Sequence, residues 1–305
     1  MTRHHRKYSS GIAIGIVVAI LSAPSLTLGW GAGGHMMVAK IAFDRLNPRA
    51  KAKAAHLLSL PINPAAITKK SKDFVNAAHW PDDLRPDHSF DAFLVRHFID
   101  NPFHLDNTAL PPDLPEADNI VKALQDNVEI LKTSTDENEQ AQALRFIIHF
   151  VGDIHQPLHC ATRVDAALTH GDLGGNKAFV LLPDPKNPGH LKTVNLHSYW
   201  DGGIGKFPPT GPNFAPPPLN KIPPAVVLAL AHHPDTDPDI KLDEPLAFSA
   251  WADESFALAQ QVAYHGIKKR TKPTAEYNRI ALETARKRVA WGGYRLAALL
   301  NSIWP

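Results

Sequence analysis

One segment of the sequence, RFIIHFVGDIHQPLH, combines a helical apolar pattern with side chains that can bind metal, and it limits the fold more than any other segment. The apolar pattern predicts a helix over residues 138–151, with one face formed by Ala143, Leu144, Ile147, Ile148 and Val151. His149 and Asp153 are four residues apart, so both project from one side of a helix. Pro157 ends the helix and places His159 just beyond it. The segment therefore predicts a helix that presents imidazole and carboxylate groups together.

Helical patterns also dominate the rest of the chain. Apolar residues at helical spacing predict further helices over 38–46, 117–131, 246–264 and 275–300. The best strand candidate is 178–182, as one arm of a small hairpin. Residues 202–245 are rich in proline and are interpreted as an ordered surface loop, with a flexible linker or a polyproline docking site as the alternative. We identify no repeat, charge block or second domain boundary, so the sequence predicts a mainly α, single-domain fold with at most a small β-hairpin.

The first residues resemble a secretory signal peptide. A basic start precedes an apolar run over 11–23, which is short for a transmembrane span. Thr27 and Gly29 are the small residues that signal peptidase prefers at positions −3 and −1. Cleavage after Gly29 would therefore leave Trp30 at the new N-terminus. We therefore predict a cleaved signal peptide over 1–29, one domain over 30–305, and a periplasmic or secreted protein. An uncleaved membrane anchor is the alternative.

The charge balance argues against a broad cationic surface. The full chain has 32 Lys and Arg against 30 Asp and Glu, and loss of Arg3, Arg6 and Lys7 with the leader leaves 29 against 30. A nucleic-acid binder that relied on overall charge should be more basic. Phosphate chemistry must then be handled locally, for example by bound metal. Cys160 is the only cysteine, so no disulfide forms within the chain.

Histidine and aspartate recur at the same spacing later in the chain. In NLHSYWD, His197 and Asp201 are again four residues apart. About one such pair is expected by chance in a chain of this composition, so two pairs with neighbouring candidates favour a metal site. Earlier candidates are Asp82 or Asp83 beside Arg85, His97, Asp100 and His35. Imidazole nitrogen and carboxylate oxygen are the ligands that zinc uses in catalytic sites. An N-terminal Trp30 would add an α-amine and a carbonyl, which can close a five-membered chelate ring.

Six motifs in order along the chain together resemble one family. They are Trp-Gly-x-Gly-Gly-His at 30–35, Trp-x-Asp-x-x-Arg at 80–85, His-Phe-Ile-Asp at 97–100, His-Phe-x-Gly-Asp-x-x-Gln-Pro-Leu-His at 149–159, Gly-Gly-Asn-Lys at 174–177 and Asn-Leu-His-x-x-Trp-Asp at 195–201. This series closely resembles the zinc-dependent, single-strand-specific S1/P1 nucleases. The resemblance implies a helical phospholipase C/P1 nuclease-like fold that holds three Zn²⁺.

The resemblance also assigns the ligands. Asp82, His97 and His149 match the ligands of a first zinc, and Asp153 matches the carboxylate that bridges it to a second. The second zinc is matched by His35 and by the amine and carbonyl of Trp30. The third is matched by His159, His197 and Asp201.

The implied activity is hydrolysis of single-stranded RNA and DNA, and also of 3′-nucleotides, to products with a 5′ phosphate. Hydroxide held between the zinc ions bridged by Asp153 would attack phosphorus, and Arg85 would stabilise the developing charge. The implied base pocket consists of Phe98 for stacking, Asp100 for a hydrogen bond, and Asn176 and Lys177 as lining residues. Phe98 as a core residue, and Asn176 and Lys177 as turn residues, are the alternatives.

Some features depart from the family pattern. Pro81 replaces a small residue before Asp82, and Cys160 follows His159, where we interpret it as a small buried residue rather than a ligand. The motifs leave His79, His104 and His155 without a ligand role. A zinc-dependent phospholipase C is the nearest rival reading, and a non-catalytic zinc-binding protein is another. No obligate protein partner is predicted.

Overall fold

The computed structural model describes residues 30–85, 88–211 and 215–305. The signal peptide predicted over 1–29 lies outside the described residues. The helices are α1 (Ala32–Arg45), α2 (Pro48–Ser59), α3 (Ala65–Thr68), α4 (Phe74–Ala77), α5 (Trp80–Asp83), α6 (Ile120–Thr133), α7 (Glu137–Ile154), α8 (Leu196–Asp201), α9 (Ile222–Leu230), α10 (Phe248–Leu258) and α11 (Ala275–Ile303). The predicted mainly α fold is confirmed. α6, α7 and α11 lie within three residues of their predicted bounds, α1 begins six residues before its predicted start, and α2 was not predicted.

α7 is the central helix of the fold. It begins at the N-cap Asp136, whose side chain accepts a hydrogen bond from the Asn138 amide, and Glu137 places a negative charge in the first turn. Every residue from Ala143 to Ile154 is buried. α6, α2, α1 and α11 pack around α7. Polar side chains on the C-terminal half of α7 are therefore held inside the protein, away from bulk water.

Glycines allow two close approaches around α7 and α1. A Cβ on Gly293 of α11 would lie 2.5 Å from the Ile41 Cβ, so only glycine lets α11 approach α1 this closely. A Cβ on Gly152 of α7 would lie 2.6 Å from His35 Nδ1. The glycine between His149 and Asp153 thus makes room for an imidazole from α1.

Two small sheets of two strands each complete the described fold. β3 (Phe179–Pro183) and β4 (Leu191–Asn195) form an antiparallel hairpin in which Phe179 pairs with Asn195. β3 corresponds to the predicted strand, and the predicted hairpin is confirmed. β1 (Pro102–His104) and β2 (Thr162–Val164) form a parallel pair that the sequence did not predict. Each has three residues, too few for an alternating pattern to stand out.

The proline-rich segment contains a helix that the sequence analysis missed. Within its described residues, 202–211 and 215–245, a 3₁₀ turn at Leu219–Lys221 leads into α9, which packs on α1 and α11. Pro223 lies in the first turn of α9, where an amide hydrogen would have no intrahelical partner. The prediction of a loop is therefore wrong at 222–230.

No helix among the described residues is both long and apolar enough to cross a membrane.

Candidate metal centre

The side chains that were predicted as metal ligands meet near the C-terminal half of α7. α7 itself supplies His149 and Asp153. The other contributions are His35 from α1, Asp82 from α5, His97 from the 3₁₀ helix His88–His97, His159 from the 3₁₀ turn Pro157–Cys160, and His197 and Asp201 from α8. All are buried except Asp82, whose side chain is 18% exposed.

Asp153 lies at the centre of five of these side chains. We call them the Asp153 cluster: Asp153, His35, His97, His149 and Asp82. Asp153 Oδ1 is 3.2 Å from His35 Nε2, and Asp153 Oδ2 is 3.0 Å from both His97 Nδ1 and His149 Nε2. The His35 and His149 rings stack with centroids 3.9 Å apart. One carboxylate therefore contacts three imidazoles from three different elements.

The electrostatics of the Asp153 cluster indicate that its imidazoles are not all in the positively charged, doubly protonated form. Burial alone would raise the pKa of Asp153, but His149, His159 and His35 hold it well below its usual range. Burial opposes the charged form of His149, yet Asp153 and Asp82 raise its pKa to about 9. Burial and the neighbouring His149 lower the pKa of His35 to about 4. His35 therefore stays neutral and keeps a nitrogen lone pair at physiological pH.

His159 and His197 give the clearest sign of a cation site. His159 Nδ1 lies 2.7 Å from the His97 carbonyl, and His197 Nδ1 lies 2.7 Å from the Gly174 carbonyl. Because carbonyls only accept hydrogen bonds, both Nδ1 atoms carry the hydrogen, and in the neutral rings both Nε2 atoms carry lone pairs. Those Nε2 atoms face each other at 3.0 Å. Burial and the neighbouring His159 lower the pKa of His197 to about 3, so its Nε2 holds no second proton.

Two facing lone pairs repel each other unless a cation lies between them, and Asp201 adds a carboxylate, with Oδ1 3.6 Å from His197 Nε2. Gln156 orients this carboxylate, since its Nε2 donates to Asp201 Oδ1 at 2.8 Å. Nitrogen and oxygen donors in this number suit zinc. The sequence analysis gave Gln156 no role, although it stands inside the Gln-Pro-Leu-His motif.

Three groups of three side chains could each hold a metal ion, with ligand atoms within 4.8 Å of one another. They are His35 with Asp82 and His149, His97 with His149 and Asp153, and His159 with His197 and Asp201. The last group coincides with the predicted third zinc set. The first two divide the predicted ligands differently, because His149 lies within reach of both.

Asp82 rather than Asp83 faces the cluster. Asp82 Oδ1 lies 3.8 Å from His149 Nε2, whereas Asp83 Oδ2 pairs with His79 Nδ1 at 2.7 Å. Arg85 Nη2 donates to Asp82 Oδ1 at 2.8 Å. Burial would lower the pKa of Arg85, but Asp82, Asp201 and Asp153 raise it, so the guanidinium keeps its positive charge beside Asp82.

Trp30 is packed as a core residue and also brings the main chain to the site. Its indole is fully buried, 5.5 Å from the Phe207 ring. The Gly31 amide donates to the Asp201 carbonyl at 3.0 Å. The start of the domain is thereby tied to the last predicted ligand. The predicted α-amine ligand depends on cleavage after Gly29, which is outside the described residues.

The predicted base-pocket residues lie on two neighbouring segments. Phe98 and Asp100 are half-buried, so the ring of Phe98 is not wholly part of the core. Burial and the nearby Asp172 raise the pKa of Asp100 to about 7, and Lys177 is close enough to oppose that rise. Asn176 is buried and its Nδ2 donates to the Leu173 carbonyl at 2.9 Å, so it also shapes the turn.

Cys160 is buried with Sγ 3.5 Å from the Ile154 carbonyl, and burial raises its pKa to about 12. It is therefore a protonated thiol and belongs to none of the three groups of described residues that could hold a metal ion.

A second buried polar cluster was missed by the sequence analysis. This Glu254 cluster consists of Glu254, Arg288, Arg295, His155 and Ser255. Arg288 Nη1 and Arg295 Nη1 donate to Glu254 Oε2 at 2.7 and 2.6 Å, and Arg295 Nη2 donates to Oε1 at 2.7 Å. Arg288 Nη2 also donates to Ser255 Oγ at 2.8 Å, and Arg295 Nη1 lies 3.0 Å from His155 Nε2. His155 is thus buried against arginines rather than ligands.

Comparison with known proteins agrees with the geometry. The S1/P1 Nuclease family model matches residues 30–305. Endonuclease 4 of Arabidopsis thaliana is 27% identical, over 90% of this chain and 89% of its own length. Nuclease S1 of Aspergillus oryzae is 30% identical over 61% of this chain and 58% of its own length, and nuclease P1 of Penicillium citrinum is 31% identical over 56% and 57%. With a family match that spans the whole described domain, the chain belongs to the S1/P1 nuclease family.

Proposed function

We propose that the chain is an exported, zinc-dependent nuclease that hydrolyses single-stranded RNA and DNA, and also 3′-nucleotides, to products with a 5′ phosphate. Membership of the S1/P1 nuclease family makes the chain an enzyme that hydrolyses nucleic acid. The observation that carries the finer proposal is the pair of facing Nε2 atoms of His159 and His197, 3.0 Å apart, beside the Asp153 cluster. Such an arrangement of buried imidazoles and carboxylates suits several bound cations.

The proposed ligands of three Zn²⁺ are His35, Asp82, His97, His149, Asp153, His159, His197, Asp201 and the amine and carbonyl of Trp30. Zinc, when bound, supplies a Lewis acid that polarises a phosphoryl oxygen and lowers the pKa of water. Asp153 holds three imidazoles in place through both of its oxygens. The positive charge of Arg85 lies beside Asp82 and stabilises negative charge that develops on the phosphoryl oxygens.

Substrate selection follows from the segments next to the cluster. Phe98 presents a ring on which an unpaired base stacks, and Asp100 accepts or donates a hydrogen bond according to its protonation. Asn176 and Lys177 line the same region. A base inside an intact duplex cannot reach such a pocket without leaving its stack, which favours single strands.

The decisive experiment compares substrates under one set of conditions. Purified protein with zinc should cleave a single-stranded oligonucleotide far faster than the same sequence as a duplex, and the products should carry 5′ phosphates. Phosphatidylcholine should not be hydrolysed. Turnover of lipid without turnover of nucleic acid would replace this proposal with a phospholipase C, and zinc binding without any phosphodiester turnover would indicate a non-catalytic protein.

A second experiment tests the role proposed for the new N-terminus. The exported protein should begin at Trp30 and contain about three zinc ions per chain. One extra residue before Trp30 should reduce metal content and activity far more than thermal stability, because it displaces the amine while the indole stays packed. Full zinc content and turnover in the extended protein would contradict the amine ligand.

A further inference from the structure

Four basic side chains near the C-terminal helix form an exposed group that the sequence analysis passed over. This basic run consists of Lys268, Lys269, Arg270 and Lys272, all exposed. None of the four is in an ion pair with another described residue. Three ammonium groups and one guanidinium within five residues create a local positive potential on a chain that is otherwise close to neutral. The run therefore offers a local site for polyanions.

The basic run is fixed in position by the β-hairpin. The Arg270 amide donates to the Phe179 carbonyl at 2.8 Å, and the Leu181 amide donates to the Thr271 carbonyl at 3.0 Å. The Arg270 guanidinium also lies over the Phe179 ring, 5.8 Å from its centroid. Arg270 has a φ of 54°, a left-handed conformation that is unfavourable for a residue with a side chain and that these contacts hold in place. The run thus lies along the outer edge of β3.

The edge of β3 lies close to the candidate metal centre. Phe179 pairs with Asn195 of β4, and the Leu196 amide donates to the Ala178 carbonyl at 2.7 Å. His197, a predicted ligand, is the next residue. With strands spaced about 4.8 Å apart, the backbone of the run lies roughly 10 Å from the chain that enters α8. This distance is within reach of a strand only a few nucleotides long.

We propose that the basic run binds the phosphates of a single-stranded nucleic acid that extends beyond the cleavage site. The proposal rests on the proposed function and adds to it a preference for chains over mononucleotides. An anionic membrane fits the run less well, because stable surface binding combines electrostatic attraction with the burial of exposed apolar side chains. None of the exposed large apolar residues of the described chain lies between 265 and 273.

The test variant is Lys268→Ala/Lys269→Ala/Lys272→Ala. Arg270 is left unchanged because its side chain packs on Phe179. The matched control is Lys53→Glu/Lys132→Ala, which lowers the net charge by the same three units at exposed positions near the other end of α7. Lys53 lies on α2, whose His56 pairs with Glu137 at the start of α7 at 2.8 Å, and Lys132 lies at the end of α6. That end of α7 is about 24 Å from Asp153 at a rise of 1.5 Å per residue.

Binding and turnover are measured as a function of salt, with an oligothymidylate of about 20 nucleotides and with a 3′-nucleotide. Binding to the zinc-loaded protein is followed by fluorescence anisotropy with a phosphorothioate oligonucleotide, which keeps one negative charge per linkage and slows hydrolysis, so that affinity is measured apart from turnover. The test variant should bind the oligonucleotide about tenfold more weakly at low salt, with a salt slope smaller by about 2. Its kcat/KM should fall to a similar extent on the oligonucleotide and remain unchanged on the 3′-nucleotide. The control variant should match the wild type on both.

Three results would overturn the proposal. Equal losses on both substrates would mean that the lysines act on the site itself, and equal oligonucleotide binding by all three proteins would mean that they contact no phosphate. If the wild type co-sedimented with phosphatidylserine vesicles and the test variant did not, while its oligonucleotide binding was unchanged, the run would be assigned to membrane binding. A wild-type protein that binds the oligonucleotide through the run but hydrolyses neither substrate would contradict the proposed function and leave the phosphate contacts supported.

Discussion

The Asp153 cluster and the Glu254 cluster both bury charge beside the C-terminal end of α7, and their members Asp153 and His155 are two residues apart in the chain. In the Glu254 cluster every contact joins a donor to an acceptor. Arg288 donates to Glu254, Ser255 and the Trp251 carbonyl, and Arg295 donates to Glu254 and lies against His155 Nε2. Burial and the two arginines hold the pKa of His155 well below its usual range, so its Nε2 is available as an acceptor.

Next to the Asp153 cluster, the Nε2 atoms of the neutral His159 and His197 face each other at 3.0 Å as two acceptors. The Nδ1 atoms of His149, His159 and His197 donate to the carbonyls of Ala78, His97 and Gly174, while their Nε2 atoms face Asp153 or one another. A buried cluster whose contacts join donors to acceptors serves stability, whereas one in which acceptors face each other is prepared for a cation. The two clusters should therefore respond differently to metal removal and to mutation.

Asp153→Asn should have the largest effect, since the amide removes the charge that joins three imidazoles. We expect loss of bound metal after dialysis and a decrease in kcat/KM on a single-stranded oligonucleotide of about a thousandfold. A chelator should lower the melting temperature of the wild type and leave that of the variant unchanged. Full metal content in Asp153→Asn would remove the contrast between the clusters.

Glu254→Gln should affect stability instead of activity. It leaves two buried arginines without a carboxylate, which should lower the free energy of unfolding by about 3 kcal/mol in chemical denaturation. The effect is set at the lower end of the usual range because the Glu254 side chain is 33% exposed. Metal content and kcat/KM per folded molecule should match the wild type.

The control for this variant is Glu276→Gln, which breaks an exposed pair with Arg279 and should leave unfolding nearly unchanged. Loss of zinc in Glu254→Gln would show that the two clusters are coupled through α7 and are not independent.

Arg85→Lys, beside the Asp153 cluster, should show whether the charge of Arg85 is sufficient or whether its planar guanidinium group is needed. Lysine keeps the positive charge but loses the planar group that donates to Asp82. We expect a decrease in kcat of about a hundredfold with unchanged metal content and melting temperature. Loss of metal in this variant would instead make Arg85 a residue that positions Asp82.

Asp100 extends the comparison to a carboxylate that pairs with neither arginine nor a predicted ligand. Its pKa is raised to about 7 by burial and by Asp172, so the folded protein binds more protons than the unfolded chain between about pH 4 and 7. The contribution of Asp100 to stability is therefore full below that window and is lost as pH rises through it. Asp100→Asn cannot ionise and should gain about 1–2 kcal/mol over the wild type from pH 5 to pH 8, as measured by denaturant titration. A pH-independent difference would mean that Asp100 is ionised throughout.

Much of the site could be predicted because its residues follow local rules. His149 and Asp153 share a side of α7 because of helical periodicity, and the Trp-x-Asp spacing selected Asp82, which the structure places near His149 while Asp83 pairs with His79. α9 was missed because its prolines resemble a loop, although the first turn of a helix tolerates them.

The Glu254 cluster and the basic run could not be located from the sequence, because their positions depend on contacts between residues that are distant in the chain. Glu254, Arg288 and Arg295 stand on two helices with no motif to connect them, and only the packing of α10 and α11 brings them together. The basic run is visible as a short sequence, but its position along β3 depends on hydrogen bonds to Phe179 and from Leu181.

The hydrogen bond from the Gly31 amide to the Asp201 carbonyl has a consequence for the order of folding. It joins two points that are separated by most of the first two-thirds of the chain, and the candidate ligands between them come from separate elements. Closing loops of this length costs entropy that only the assembled core offsets, so such contacts form late. Metal uptake should therefore mark completed folding of the N-terminal two-thirds and should not act as its nucleus.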